Sequence, residues 1–206
     1  MKYALSFSLV ILALNLGLSQ KYGMAPDSSP RGLEVGEAAP QIELSDQSGQ
    51  LFKLNEALSD GPVVLVFYRG NWCPHCSKYL SQLSNALPDI VATGGQLVAV
   101  SPEAETEINK TREQITGGNI TLLADVDNQV MNAYDVAYEV TEAYQDKLKS
   151  KKDLSLSAHN NQQSAVLPVA ATYIINKDGM ITYRHFDPDY TRRADIRDIL
   201  DVLSSL

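Results

Sequence analysis

Only two cysteines, three histidines and one tryptophan occur among the 206 residues. So small a stock of metal-binding side chains argues against a zinc centre, which takes three or four ligands. His159 and His185 lie far along the chain from the cysteines and in no ligand spacing, so no metal or other cofactor is expected. Basic residues are also in deficit. The 17 Lys and Arg against 25 Asp and Glu give a formal charge of -8 and a pI near 4.8. That balance lacks the basic footprint of a nucleic-acid-binding protein. Internal repeats and low-complexity tracts are absent. A composition of 44% hydrophobic and 20% charged residues is that of one globular domain.

Long apolar runs are missing too, with one exception at the start. The segment "MKYALSFSLVILALNLGLSQ" carries Lys2, an apolar stretch from Ala4 to Leu18, and Gly17 and Ser19 as small residues before Gln20. The stretch is short for a membrane span and is broken by Asn15. It fits a cleaved secretory signal over residues 1–19, cut near Ser19-Gln20. The mature protein is therefore expected to be exported, periplasmic or secreted, with no stable membrane anchor.

Export changes how the two cysteines are read. They stand in "FYRGNWCPHC", residues 67–76. In an oxidising compartment a structural disulfide usually closes a long loop in a domain with little core. Cys73 and Cys76 close almost no loop, so a bond between them adds little stability and is suited to opening and closing. Redox chemistry is the expectation.

The chain around this pair is regular. Residues 20–32, "QKYGMAPDSSPRG", read as a linker or loosely held arm. The segment "PQIELSDQSGQLFKL" predicts a hairpin about Ser48-Gly49, followed by a short helix capped by Asn55. "PVVLVFY" is a continuous apolar run, as in a strand buried on both faces. From Pro74 onward, Cys76, Tyr79, Leu80, Leu83, Leu87, Ile90 and Val91 recur at helical spacing, with a kink expected at Pro88. "QLVAVS" reads as a second buried strand, and Ser101-Pro102 as a helix start. "TLLAD" is a third strand, before a helix near residues 128–134. Residues 139–166 interrupt this alternation with a helix from about Thr141 and then a polar, irregular stretch. "ATYIIN" and "MITYRHF" form a second hairpin about Asp178-Gly179. Ile196, Ile199, Leu200 and Leu203 mark a last helix. The order predicts an α/β, thioredoxin-like three-layer sandwich over residues 33–206, with a mixed central sheet and an N-terminal hairpin.

Cys73 falls where a buried strand meets a helix, with Pro74 in the first turn. Free N–H groups and the helix dipole favour a thiolate there. Arg69 and His75 add positive potential. An exposed attacking sulfur on Cys73 and a more buried Cys76 that closes the disulfide are predicted. His185 reads as an ordinary sheet residue, His159 as solvated, and Tyr79 and Tyr144 as core. Asn109 and Asn119 open N-x-T tripeptides of a kind common by chance.

Four segments in order, "VGEAAPQIELSDQSGQLFKL", "FYRGNWCPHC", "LVAVSPE" and "LPVAATYIINKDGMITYRHFDPDYTRR", resemble the peroxiredoxin-like branch of the alkyl hydroperoxide reductase and thiol-specific antioxidant superfamily. The resemblance runs from about Leu33 to the C-terminus. It implies a thioredoxin fold, Cys73 as the peroxidatic thiolate, Pro168 as a cis-proline facing the CxxC, and residues 139–166 as an insertion typical of the branch. It also implies attack of Cys73 on a peroxide to give a sulfenic acid and condensation with Cys76. A thioredoxin-like reductant or other dithiol protein then restores both thiols. Trp72, His75 and Pro168 are the groups expected around the substrate.

The sequence departs from the family pattern at three places. Val66 and Gly70 stand where Pro and Thr or Ser normally precede the cysteine. "LPVAAT" supplies no arginine on the later strand, which leaves Arg69 as the expected substitute. The Pro-His dipeptide resembles that of periplasmic disulfide oxidases. An exported thiol-disulfide oxidoreductase is therefore the alternative reading, and a binding module with the CxxC as a redox latch is the third.

Overall fold

The structure is a computed structural model that describes residues 22–118 and 120–206. The expected signal segment, residues 1–19, and Asn119 lie outside the described residues.

Strands β1 (Glu43–Ser45) and β2 (Leu51–Lys53) form the predicted hairpin. The Asp46 carboxylate accepts from the N–H groups of Ser48 and Gln50 and closes its turn. Helix α1 (Leu54–Asp60) follows at once; Lys53 rather than Asn55 stands at its start, and no side chain caps it. Strand β3 (Val63–Phe67) is wholly buried, as its composition predicts. The single kinked helix expected after it is two helices, α2 (Pro74–Asn85) and α3 (Leu87–Ala92), divided at Ala86. Pro88 lacks the N–H a continuous helix needs, so it sits in the first turn of the second one.

Strand β4 (Gln96–Ser101) leads to α4 (Glu105–Gln114). That helix begins later than Ser101-Pro102 suggested, because Ser101 turns its hydroxyl to Glu103 and the cap position falls at Ala104. Then follow β5 (Thr121–Ala124), α5 (Gln129–Ala133), β6 (Ala137–Glu139), α6 (Glu142–Lys152), α7 (Leu156–Asn160) and β7 (Val166–Pro168). The chain ends in β8 (Ala170–Ile175), β9 (Ile181–Asp187) and α8 (Ile196–Ser204). Gly179, at φ 78, turns the β8–β9 hairpin.

The central sheet has the order β5-β4-β3-β8-β9, with β3 to β5 parallel and β8 and β9 antiparallel. Successive side chains of a strand face opposite ways, and here that alternation builds the layers. Val63, Leu65 and Phe67 pack with Leu54, Met131 and Tyr134 on one face. Val64, Val66 and Tyr68 pack with Leu80, Leu83, Ile108 and Ile199 on the other, together with both cysteines. Each large apolar side chain so buried contributes about 1.5–3 kcal/mol.

A third, smaller core lies under residues 139–166. Tyr138, Val140, Tyr144, Leu148, Leu156 and Leu167 form it with Met24 of the N-terminal arm. The arm is therefore held rather than loose. Ala25 N–H donates to the Glu139 carbonyl, and Thr141 N–H donates to that of Gly23, each at 2.8 Å. The polar stretch after α6 is also more ordered than expected, since it contains α7 and buries Leu156, Asn160 and Ala165.

Candidate active site

Strand β3 delivers the chain to a loop that ends at the head of α2. Tyr68 N–H donates to the Val100 carbonyl, which keeps the loop beside β4. At Gly70 the backbone has φ +134, and a Cβ there would stand 2.7 Å from Trp72 Nε1 and 3.1 Å from Glu103 Oε1. A side chain at this position would crowd Trp72 and Glu103, which is why glycine stands here. Asn71 N–H donates to Glu103 Oε1 at 2.7 Å, and its amide donates to Glu107. Lys152, at the end of α6, donates to the Trp72 carbonyl at 3.0 Å.

Cys73 occupies the cap position of α2 with Pro74 in the first turn, as the sequence predicts. It is not exposed, however. Cys73 and Cys76 are 2% and 1% accessible, and their sulfurs lie 2.8 Å apart as free thiols sharing a proton. The contact with Cys76 and burial push the Cys73 thiol up, against the pull of Arg69. Burial also opposes ionisation of Cys76, but the Cys73 contact and the Arg193 and Arg69 charges outweigh it and bring that thiol down to about 6. The close pair thus favours a single thiolate, stabilised by the contact between the two sulfurs and by the nearby guanidiniums.

Two guanidinium groups reinforce this contact. Arg69 is 1% exposed and has no carboxylate partner among the described residues. It donates to the Tyr144 hydroxyl at 3.0 Å and lies over the rings of Tyr190, Trp72 and Tyr144 at 4.1, 4.8 and 5.4 Å. Burial works against its charge, yet the surrounding phenols and Cys73 hold its pKa above the ordinary value. Arg193, between β9 and α8, places Nη2 3.2 Å from Cys76 Sγ and packs over the Tyr79 ring at 5.5 Å. A cleft of about 290 Å³ lined by Tyr79, Gln82, Arg193, Ala194, Asp195 and Ile196 opens beside it.

On the other side of the loop Glu103 is fully buried. Its carboxylate accepts from Asn71 N–H, Ser101 Oγ and Thr111 Oγ1, and meets His159 Nε2 at 3.2 Å. His159, expected to be solvated, is 10% exposed in its side chain, with Glu107 at 3.6 Å from its second nitrogen. Since α7 carries His159, α6 carries Tyr144 and its last residue is Lys152, the insertion is tied to the loop at three points.

The structure brings Arg69, Trp72, Cys73 and Cys76 together. His75 is exposed, with its ring 5.8 Å from that of Tyr190. Pro168 is buried at the end of β7, opposite Ala137, and is not a cis-proline; all peptide bonds among the described residues are trans. The strand neighbours Leu167 and Val169 pack in the small core that Trp72 touches. His185 lies on β9 opposite Thr172, as expected of a sheet residue. Tyr79 and Tyr144 are buried as predicted, but their faces serve the two arginines. Sequence reasoning missed Arg193, Tyr190, Glu103 and the role of His159. The available signal was "DPDYTRR", which contains both Tyr190 and Arg193.

A sequence model of the AhpC/TSA family matches residues 35–184. The chain is 26% identical over 129 residues to the thiol-disulfide oxidoreductase ResA of Bacillus subtilis, covering 62% of this chain and 70% of that protein. It is 28% identical over 149 residues to the putative peroxiredoxin bcp of Helicobacter pylori, covering 72% and 85%. Among solved structures, the peroxidoxin BcpB of Mycobacterium tuberculosis superposes with a TM-score of 0.65 at 21% identity, over 84% of this chain and 98% of that one. The peroxiredoxin-like protein of Aquifex aeolicus gives 0.65 at 17% identity, over 85% and 88%. These likenesses carry the thioredoxin-like fold. With its dithiol at the head of α2 and the family match across most of its length, the chain belongs to the AhpC/TSA family of thiol-dependent peroxidases and oxidoreductases.

Proposed function

We propose that the protein is an exported thiol peroxidase in which Cys73 attacks the peroxide and Cys76 closes the disulfide. The observation that carries this reading is the pair of sulfurs 2.8 Å apart, with Arg69 charge on one and Arg193 on the other. The shared proton passes from Cys73 to Cys76 as Cys73 becomes the nucleophile. Its thiolate takes the nearer peroxide oxygen, the O–O bond breaks, and the products are Cys73 sulfenic acid and an alkoxide or hydroxide. The Cys76 proton neutralises that anion. The Cys76 thiolate then attacks the Cys73 sulfur, and hydroxide leaves as water after taking a proton from solvent. A thioredoxin-like or other dithiol protein supplies two electrons to restore the pair. Trp72 and His75 meet substrate or reductant at the mouth of the site.

The second reading is thiol-disulfide exchange with protein partners, favoured by the similarity to ResA and by the lack of a hydroxyl at position 70. Rapid mixing of reduced protein with hydrogen peroxide, followed by Trp72 fluorescence, separates the two. A rate far above that of a free thiolate is expected. A rate no higher removes the peroxidase reading and leaves exchange. Export is tested by sequencing the N-terminus of the mature protein, expected to begin at Gln20.

A further inference from the structure

Arg69 and Arg193 share an unusual property. Among the described residues neither has an ion-pair partner, and the Nε of each is buried with no hydrogen-bond acceptor. Arg69 is enclosed by rings and one phenol. Arg193 reaches Cys76 Sγ through Nη2. The side chains that could neutralise them are engaged elsewhere: Glu103 with Asn71, Ser101, Thr111 and His159, and Asp195 with Arg197. A charge without an opposite charge is costly where solvent is excluded, in full for the sealed Arg69 and in part for the half-buried Arg193. The anion available to both guanidiniums is the thiolate of the CPHC pair.

We propose that Arg69 and Arg193 form a two-cation cradle balanced only by the reduced pair, so that forming the Cys73–Cys76 disulfide strands both cations and makes the couple strongly oxidising. The balance is simple. The reduced site holds one thiol and one thiolate beside two guanidiniums. Oxidation removes two electrons and the remaining proton, and joins the sulfurs in a neutral disulfide. The reverse step takes two electrons and one proton from a dithiol reductant and returns the anion to its cradle. Thiol groups of ordinary reducing strength therefore suffice to reset the site, while oxidising it calls for an acceptor as strong as a peroxide.

The inference rests on the reading that the pair cycles between dithiol and disulfide. It is tested by equilibrating the full mature chain in glutathione redox buffers and quantifying the disulfide by mass and Trp72 fluorescence. R193M keeps the length of the side chain and removes the charge. Its equilibrium is expected to shift at least about tenfold toward the disulfide, a potential about 30 mV more reducing. R193K should recover most of that shift, and Arg69→Lys, whose compact charge fits the ring cage poorly, should shift in the direction of R193M. K177M, at the exposed turn between β8 and β9, should leave the equilibrium unchanged. A disulfide that forms normally in R193M with less than a twofold shift overturns the cradle. Failure of the wild-type chain to form any disulfide overturns the dithiol cycle itself, and the cradle with it.

Discussion

Arg69 and Glu103 flank one loop and carry opposite charges, and both are sealed from solvent at 1% and 0% exposure. Their surroundings differ. Three donors and a histidine meet the Glu103 carboxylate, so every lone pair it presents has a use. The Arg69 guanidinium has a phenol, three ring faces and a buried Nε with nothing to bond. A satisfied buried charge fixes a loop in place; one without a carboxylate partner keeps its attraction for the thiolate of the pair. Glu103 builds the site, and Arg69 works in it.

The sharpest test of that division is at the sulfurs. Cys73→Ser should abolish peroxide turnover while leaving the fold intact by circular dichroism, and Cys76→Ser should leave a Cys73 sulfenic acid that dimedone traps. Residual turnover in Cys73→Ser would move the attacking role to Cys76.

Next in size is Arg69→Met. Loss of the charge should slow alkylation or peroxide reaction at least about tenfold, while in the oxidised protein removal of a buried cation with no facing anion leaves the thermal midpoint unchanged or raised. A large drop in midpoint would give Arg69 the structural role assigned to Glu103.

Glu103→Ala should show the opposite pattern. It leaves Asn71, Ser101, Thr111 and His159 without their acceptor, a loss of about 3–5 kcal/mol. At about 2–4 °C per kcal/mol for a chain this size, the midpoint should fall by roughly 6 °C or more. Reactivity per folded molecule, measured well below the midpoint, should change less than in Arg69→Met.

A further effect is in pH. The Cys76 thiol is brought from its ordinary value of 9.0 down to about 6 in the folded state. Between these values the unfolded reduced chain holds a proton that the folded chain has released. Stability of the reduced protein therefore rises with pH through this window and is lost as pH falls through about 6. The difference in midpoint between reduced and oxidised protein should change in favour of the reduced form as pH is raised across it. A difference independent of pH would mean that the arginines do not favour the thiolate.

Local patterns were legible wherever one element's own residues decide its environment. The apolar run of β3, the spacing of Leu80 and Leu83, and Gly179 in its hairpin all behave as read. Errors gathered where a polar side chain had a choice of partner. Ser101 forgoes a cap for Glu103, and His159, in a polar stretch, turns inward to two carboxylates. Pattern reading assigns such residues to solvent because it sees no distant acceptor.

By its own order of residues the chain determined a buried strand leading into a helix with a dithiol at its head, and hence the kind of chemistry and the layers around it. Tertiary structure alone decided which charges surround the sulfurs. The groups involved come from far along the chain: Tyr144 lies 75 residues beyond Arg69, and Arg193 lies 117 residues beyond Cys76. Hydrophobic periodicity acts over a few residues, whereas a thiolate responds to whatever charges packing brings within a few ångströms, from anywhere in the chain.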